Sequence, residues 1–117
     1  MESSDYVHWK ADVGEFVKSK AKFYPDFPKK GVNFMDLFSL TSDPEVFKKL
    51  NADTVRIIET EVGKSGEAFN CIVGLESRGF IQGPFLAQHF GIPFVPIRKK
   101  GKLPGECYQQ AYGTEYS

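Results

Sequence analysis

The sequence predicts an α/β fold built on a parallel sheet, and three observations predict it. Cys71-Ile72-Val73 is a short apolar run between Asn70 and Gly74, the pattern of a strand buried in a parallel sheet. A tight polar turn, Glu76-Ser77-Arg78-Gly79, interrupts it, and a helical pattern follows with Phe80, Gly83, Ala87 and Phe90 on one face. Pro93-Phe94-Val95-Pro96-Ile97 is a second apolar run, read as the next parallel strand, with its prolines at the margins.

The bulk numbers bound the rest. A chain of 117 residues is one domain at most. With 41% apolar and 26% charged residues it can build a core, which excludes wholesale disorder. Fifteen acids balance fifteen Lys and Arg, so a general nucleic-acid or membrane-surface binder is not expected. Any electrostatic work falls to local clusters. Two cysteines, Cys71 and Cys107, suggest neither a disulfide framework nor a zinc site, and the simpler expectation is a reducing, cytoplasmic setting. The first residues lack the basic-then-apolar order of a secretory signal, and no apolar stretch is long enough to span a bilayer.

In chain order, Asp5 to Lys22 reads as an amphipathic helix with Trp9, Val13, Phe16, Val17 and Lys20 along one side. His8 falls on its solvent side. Two prolines in Phe23 to Lys30 stop the helix before Pro25. Gly31 to Phe38 alternates apolar positions and fits a short extended flap over a site. Ser42-Asp43-Pro44-Glu45 reads as a capping box with proline early in the first turn. Phe47, Leu50, Ile57, Ile58 and Val62 trace the stripe of the helix it opens, ended by Gly63. Pro84 predicts a kink or a late start in the helix after Gly79, which Gly91 caps. Leu103 to Ser117 reads as a long loop. Only about two parallel strands are supplied where stable sheets need three or more, so the domain looks cut short, or completed by something else.

Three features could carry chemistry. A strand, a tight turn and a helix start are where open α/β sheets hold phosphates, with backbone amides aimed at the crevice and Arg78 adding a planar fork. Arg98-Lys99-Lys100-Gly101-Lys102 lies at the carboxyl end of the second strand, and a right-handed crossover would set the two turns side by side as a polyanion site. Phe34 in the flap could stack on a flat heterocycle. Each has a plainer reading. The first turn can be a helix cap that binds nothing, the basic run a solvated loop, and Phe34 a core residue.

The segments YPDFPKKGVNFMDLF, IVGLESRGFIQGPFLAQ, IRKKGKLPG and YGTEYS, in this order from about Phe23 to Ser117, resemble the adenine phosphoribosyltransferases. That resemblance implies a type I phosphoribosyltransferase-like (Rossmann-like) parallel sheet with an N-terminal flap. Residues 1–117 would be a single incomplete domain, with helix and adenine-facing flap in 1–38 and the start of the core and catalytic loop in 39–117. It implies a reaction in purine salvage: adenine and phosphoribosyl pyrophosphate give AMP and pyrophosphate, with Mg²⁺ bound through the sugar diphosphate rather than by this chain. Asn33 (through its backbone), Phe34 and Met35 would face adenine. Glu76, Ser77, Arg78, Arg98, Lys99 and Lys102 would form the pyrophosphate site, some of them serving the neighbouring subunit of a homodimer. Family members often hold a non-proline cis bond at the place of Glu76–Ser77. Glu115 and Tyr116 would sit on the catalytic loop.

Two departures stand out. The family usually has arginine where Met35 stands, which bears on base preference. The sequence also ends before the family's acidic phosphoribosyl-binding signature, so the expectation is little or no transferase activity for these 117 residues alone. The alternative reading is a truncated, non-catalytic relative that keeps the fold.

Overall fold

A computed structural model describes residues 3–111. These form two compact units, residues 3–61 and 62–111, divided after the second long helix.

In the first unit, α1 (Ser4–Lys20) is followed by β1 (Lys22–Pro25), β2 (Asn33–Asp36), α2 (Phe38–Thr41) and α3 (Pro44–Glu61). Ser3 caps α1, its hydroxyl accepting from the Tyr6 amide at 3.1 Å. Tyr6, Val13, Leu40, Val46 and Val55 make the buried core. Tyr6 donates its hydroxyl proton to Glu61 Oε2 at 2.7 Å, and Lys10 reaches the same oxygen at 3.1 Å, which pins α1 to the end of α3. Arg56 lies over the Trp9 ring at 4.0 Å, a cation–π contact between the same helices. His8 is exposed, as expected.

The sequence reading changes in three places here. The first helix stops at Lys20 because residues 22–25 are a strand. β1 pairs antiparallel with β2, in the register Lys22 with Asp36 through Pro25 with Asn33. Pro25 is tolerated because it stands at the strand's last position. Asp26, at φ 57, and Gly31, at φ 90, turn the hairpin, and Asp26 Oδ1 accepts from the Gly31 amide at 2.9 Å. The cap of α3 is Asp43 and not Ser42. Asp43 Oδ1 accepts from the amides of Glu45 and Val46 at 3.1 and 3.3 Å, while the Ser42 hydroxyl turns back to the Ser39 carbonyl. The buried side of α3 is Val46, Asn51 and Val55, and Val62 lies beyond the helix, 58% exposed.

The second unit holds β3 (Ile72–Leu75), α4 (Gly79–Phe90) and β4 (Phe94–Ile97). The strands pair in parallel, Ile72 with Phe94 through Leu75 with Ile97, the strand–helix–strand unit that the sequence predicts. α4 begins directly at Gly79 with Pro84 inside it, so there is no late start; Gly91, at φ 68, closes it in the left-handed conformation. Gly83, Leu86 and Ala87 are its buried residues. The Phe94 ring fills a notch lined by glycines: a Cβ on Gly74 or Gly83 would fall 2.6 or 2.4 Å from its Cε1. Phe80 meets the same ring edge-on, with centroids 5.8 Å apart. Val73, Leu75, Val95 and Ile97 alternate onto the opposite face and are 44–59% exposed.

Candidate functional site

The parallel register brings the two strand-end turns together. Leu75 pairs with Ile97, so Glu76 and Arg98 are the next residues in line on adjacent strands. The Glu76 amide donates to the Ile97 carbonyl at 3.0 Å and extends the ladder one step. Glu76 Oε1 accepts from Nη2 and Nε of Arg98 at 2.9 and 3.2 Å, and Oε2 accepts from the Lys99 amide at 3.2 Å. Bonding to the Arg98 side chain, and then to the Lys99 amide, holds the Glu76 carboxyl below its ordinary value. Sequence reading missed this pairing. Opposite charges one step past two paired strands were the available signal, but they become partners only once the register is known.

From Glu76 the chain passes through a cis peptide bond to Ser77, then Arg78 in helical conformation, and enters α4. The amides of Phe80 and Ile81 donate to the Ser77 and Arg78 carbonyls at 3.0 and 3.1 Å, so the turn becomes the helix without a gap. Close approach makes this possible. A Cβ on Gly79 would stand 2.8 Å from Gly74 Cα, so the helix start rests on the strand backbone itself. The first amides of a helix carry partial positive charge, and here they emerge at the sheet's carboxyl edge.

The second turn is folded by its own bonds. The Lys102 amide donates to the Lys99 carbonyl at 3.1 Å, Gly101 takes φ 82, and Arg98 Nη1 donates to the Lys102 carbonyl at 3.1 Å. Lys99, Lys100 and Lys102 are exposed. A hollow of about 230 Å³ opens beside them, lined by residues between Arg98 and Gln109, Cys107 among them.

The flap residues belong to the other unit. Asn33, Phe34 and Met35 are consecutive in β2. Asn33 is exposed, and Pro25 opposite it has no N–H to donate to its carbonyl. Phe34 is half-buried and meets Phe27 edge-on, with centroids 5.0 Å apart. Met35 pairs with Phe23. Glu115 and Tyr116 lie outside the described residues. No group of three or more His, Cys, Asp or Glu that could hold a metal occurs among the described residues. Nor is any helix there long and apolar enough to cross a membrane.

A parallel β–α–β unit with a tight turn between its first strand and its helix, preceded in the chain by a β-hairpin, is the fold of the type I phosphoribosyltransferases. Within that class, the chain is similar to the N-terminal portion of adenine phosphoribosyltransferases. It is 46% identical over 100 residues to the enzyme of Acetivibrio thermocellus and 45% identical over 106 residues to adenine phosphoribosyltransferase 1 of Saccharomyces cerevisiae. These alignments take in 86% and 91% of this chain but 56% of each relative, so the chain spans about half the length of the curated relatives it matches.

Among solved structures, the Saccharomyces cerevisiae enzyme in complex with an imino-altritol bisphosphate and adenine superposes with a TM-score of 0.80 at 40% identity, over 91% of this chain and 59% of that one. The Trypanosoma brucei enzyme in complex with AMP, pyrophosphate and ribose-5-phosphate gives 0.72 at 27% identity, over 89% and 44%. No protein-family model matches the chain.

Proposed function

We propose that this protein is an adenine phosphoribosyltransferase, joining adenine to phosphoribosyl pyrophosphate to give AMP and pyrophosphate. One geometric fact carries the proposal: the register of β3 and β4 sets the Glu76–Gly79 turn and the Arg98–Lys102 turn next to each other at the carboxyl edge of one sheet. Helix-start amides, a guanidinium at residue 78 and a lysine-rich turn are the groups that stabilise negative charge growing on a departing diphosphate. The solved relatives bound to pyrophosphate, AMP and adenine support the choice of substrates.

In the other unit, Phe34 offers a ring to stack on a purine, and the Asn33 backbone, opposite a proline, can read its edge. By the same resemblance, Glu115 and Tyr116 would complete the catalytic residues. Magnesium would ride on the sugar diphosphate's own oxygens, because Glu76, the carboxylate beside the anion turn, is already committed to Arg98 and the Lys99 amide. When bound, it would neutralise diphosphate charge. A cytoplasmic homodimer is part of the same reading, and two unpaired cysteines suit a reducing setting.

The test is calorimetric titration of the 117-residue chain with inorganic pyrophosphate, together with thermal shift against adenine, guanine and xanthine. We expect pyrophosphate binding that Arg78→Ala weakens by about tenfold or more, and stabilisation by adenine alone. Absence of pyrophosphate binding by the wild-type chain would overturn the proposal.

A further inference from the structure

A carboxylate is an odd neighbour for a site meant to hold a polyanion. Glu76 stands in the first of the two turns, and its side chain is only 18% exposed. Left unpaired, it would repel the ligand. Its two oxygens are instead spent on the second turn: Oε1 on the Arg98 guanidinium and Oε2 on the Lys99 amide. The same guanidinium reaches on to the Lys102 carbonyl. One carboxylate and one arginine therefore fix the basic turn at both ends, its entry at residues 98 and 99 and its exit at residue 102. Their charges cancel, and the turn's remaining charge is that of Lys99, Lys100 and Lys102.

We propose that Glu76 is a positioning residue of the anion site: it clasps Arg98 and Lys99 so that the turn 98–102 presents its lysines in a set arrangement, and it does not contact the anion itself. This rests on the pyrophosphate reading above. Its physical basis is preorganisation. A five-residue loop carrying flexible lysines loses conformational freedom when it closes on a ligand, and a loop already tied at both ends has less to lose. The opposite arrangement is also chemically conceivable. Glu76 could occupy the Arg98 fork as a stand-in anion that the ligand must displace. The two make opposite predictions, because removing a clasp weakens binding and removing a competitor strengthens it.

The experiment is titration of the 117-residue chain with inorganic pyrophosphate for wild type, Glu76→Gln, Arg98→Ala and the double variant, with far-UV circular dichroism to show that each is folded. Glu76→Gln keeps the side chain's size and removes its charge. We expect it to weaken pyrophosphate by about tenfold, to have little further effect once Arg98 is alanine, and to speed amide exchange at Lys99. A purely structural defect would not abolish its own effect in the Arg98→Ala background. Pyrophosphate binding to Glu76→Gln as tight as to wild type, or tighter, overturns the positioning role and leaves the site standing. A wild-type chain that binds no pyrophosphate removes the site and this role together. If Glu76→Gln does not fold, Glu76→Asp, one methylene shorter, replaces it and must still weaken binding and expose the Lys99 amide.

Discussion

Replacing Gly79 by alanine should open the anion turn by forcing α4 off β3. The new Cβ would stand 2.8 Å from Gly74 Cα and 2.9 Å from Gly74 C, where ordinary van der Waals contact begins at 3.4 Å. Both obstructing atoms are backbone of a paired strand, so no flexible side chain can swing away. Overpacking of this kind costs about 1–3 kcal/mol. Against it stands the better helix propensity of alanine, up to about 1 kcal/mol. The net expectation is a loss of about 1–2 kcal/mol, with β3 and α4 displaced from each other at the turn. Gly14, inside α1, is the control: its added Cβ meets nothing within 4 Å, so Gly14→Ala should gain about 0.5–1 kcal/mol from propensity alone. The assay must respect the two units. Trp9, the one tryptophan, reports the first, so its fluorescence in urea suits Gly14→Ala. Amide exchange of β3 and α4 suits Gly79→Ala, which should also weaken pyrophosphate. A Gly79→Ala chain as stable as wild type in those elements would refute the close-approach reasoning.

Glu76 supplies a pH prediction. Its carboxyl is held below the ordinary value of 4.5 by Arg98 and the Lys99 amide, so the clasp's stabilisation is fully present above that value. It is lost as pH falls through the lowered value. Amide exchange at Lys99, followed downward in pH, should show the loss in wild type and none in Glu76→Gln. Asp43→Ala removes the side-chain acceptor of two α3 amides and should cost about 1 kcal/mol in urea denaturation, whereas Ser42→Ala, at the position that the sequence pattern favours, should cost much less. Tyr6→Phe deletes the 2.7 Å bond to Glu61 between α1 and α3 and should lower stability by about 0.5–1.5 kcal/mol, read by Trp9 fluorescence; no change would mean that this bond adds nothing to the joining of those helices.

The β–α–β unit was legible in the sequence because its signals are local: an apolar run, a polar break, a helical stripe and a capping glycine each declare themselves within a few residues. β1 was hidden because two nearby prolines read as a break, and proline is compatible with a strand only at a position that pairing decides. Ser42 and Asp43 show a finer limit. Both are good caps, and which one points its oxygen at the helix depends on the backbone of α2 before them. For the site, residue types and spacing marked both turns, yet the pairing of Glu76 with Arg98 and the Lys99 amide was not legible, because charge alone does not say whom a carboxylate will face. That answer lies in the pairing of Leu75 with Ile97.

The seating of Phe94 bears on how far this architecture can drift. Where a helix lies on a strand through many interchangeable aliphatic groups, each can shrink or grow as others compensate. Here one rigid ring meets bare backbone at two glycines, one on the strand and one on the helix, so the fit of helix on sheet at this point is made to a single side chain. Substitutions at these three sites should therefore be tolerated only in concert, and the height of the helix start above the strand end moves with them.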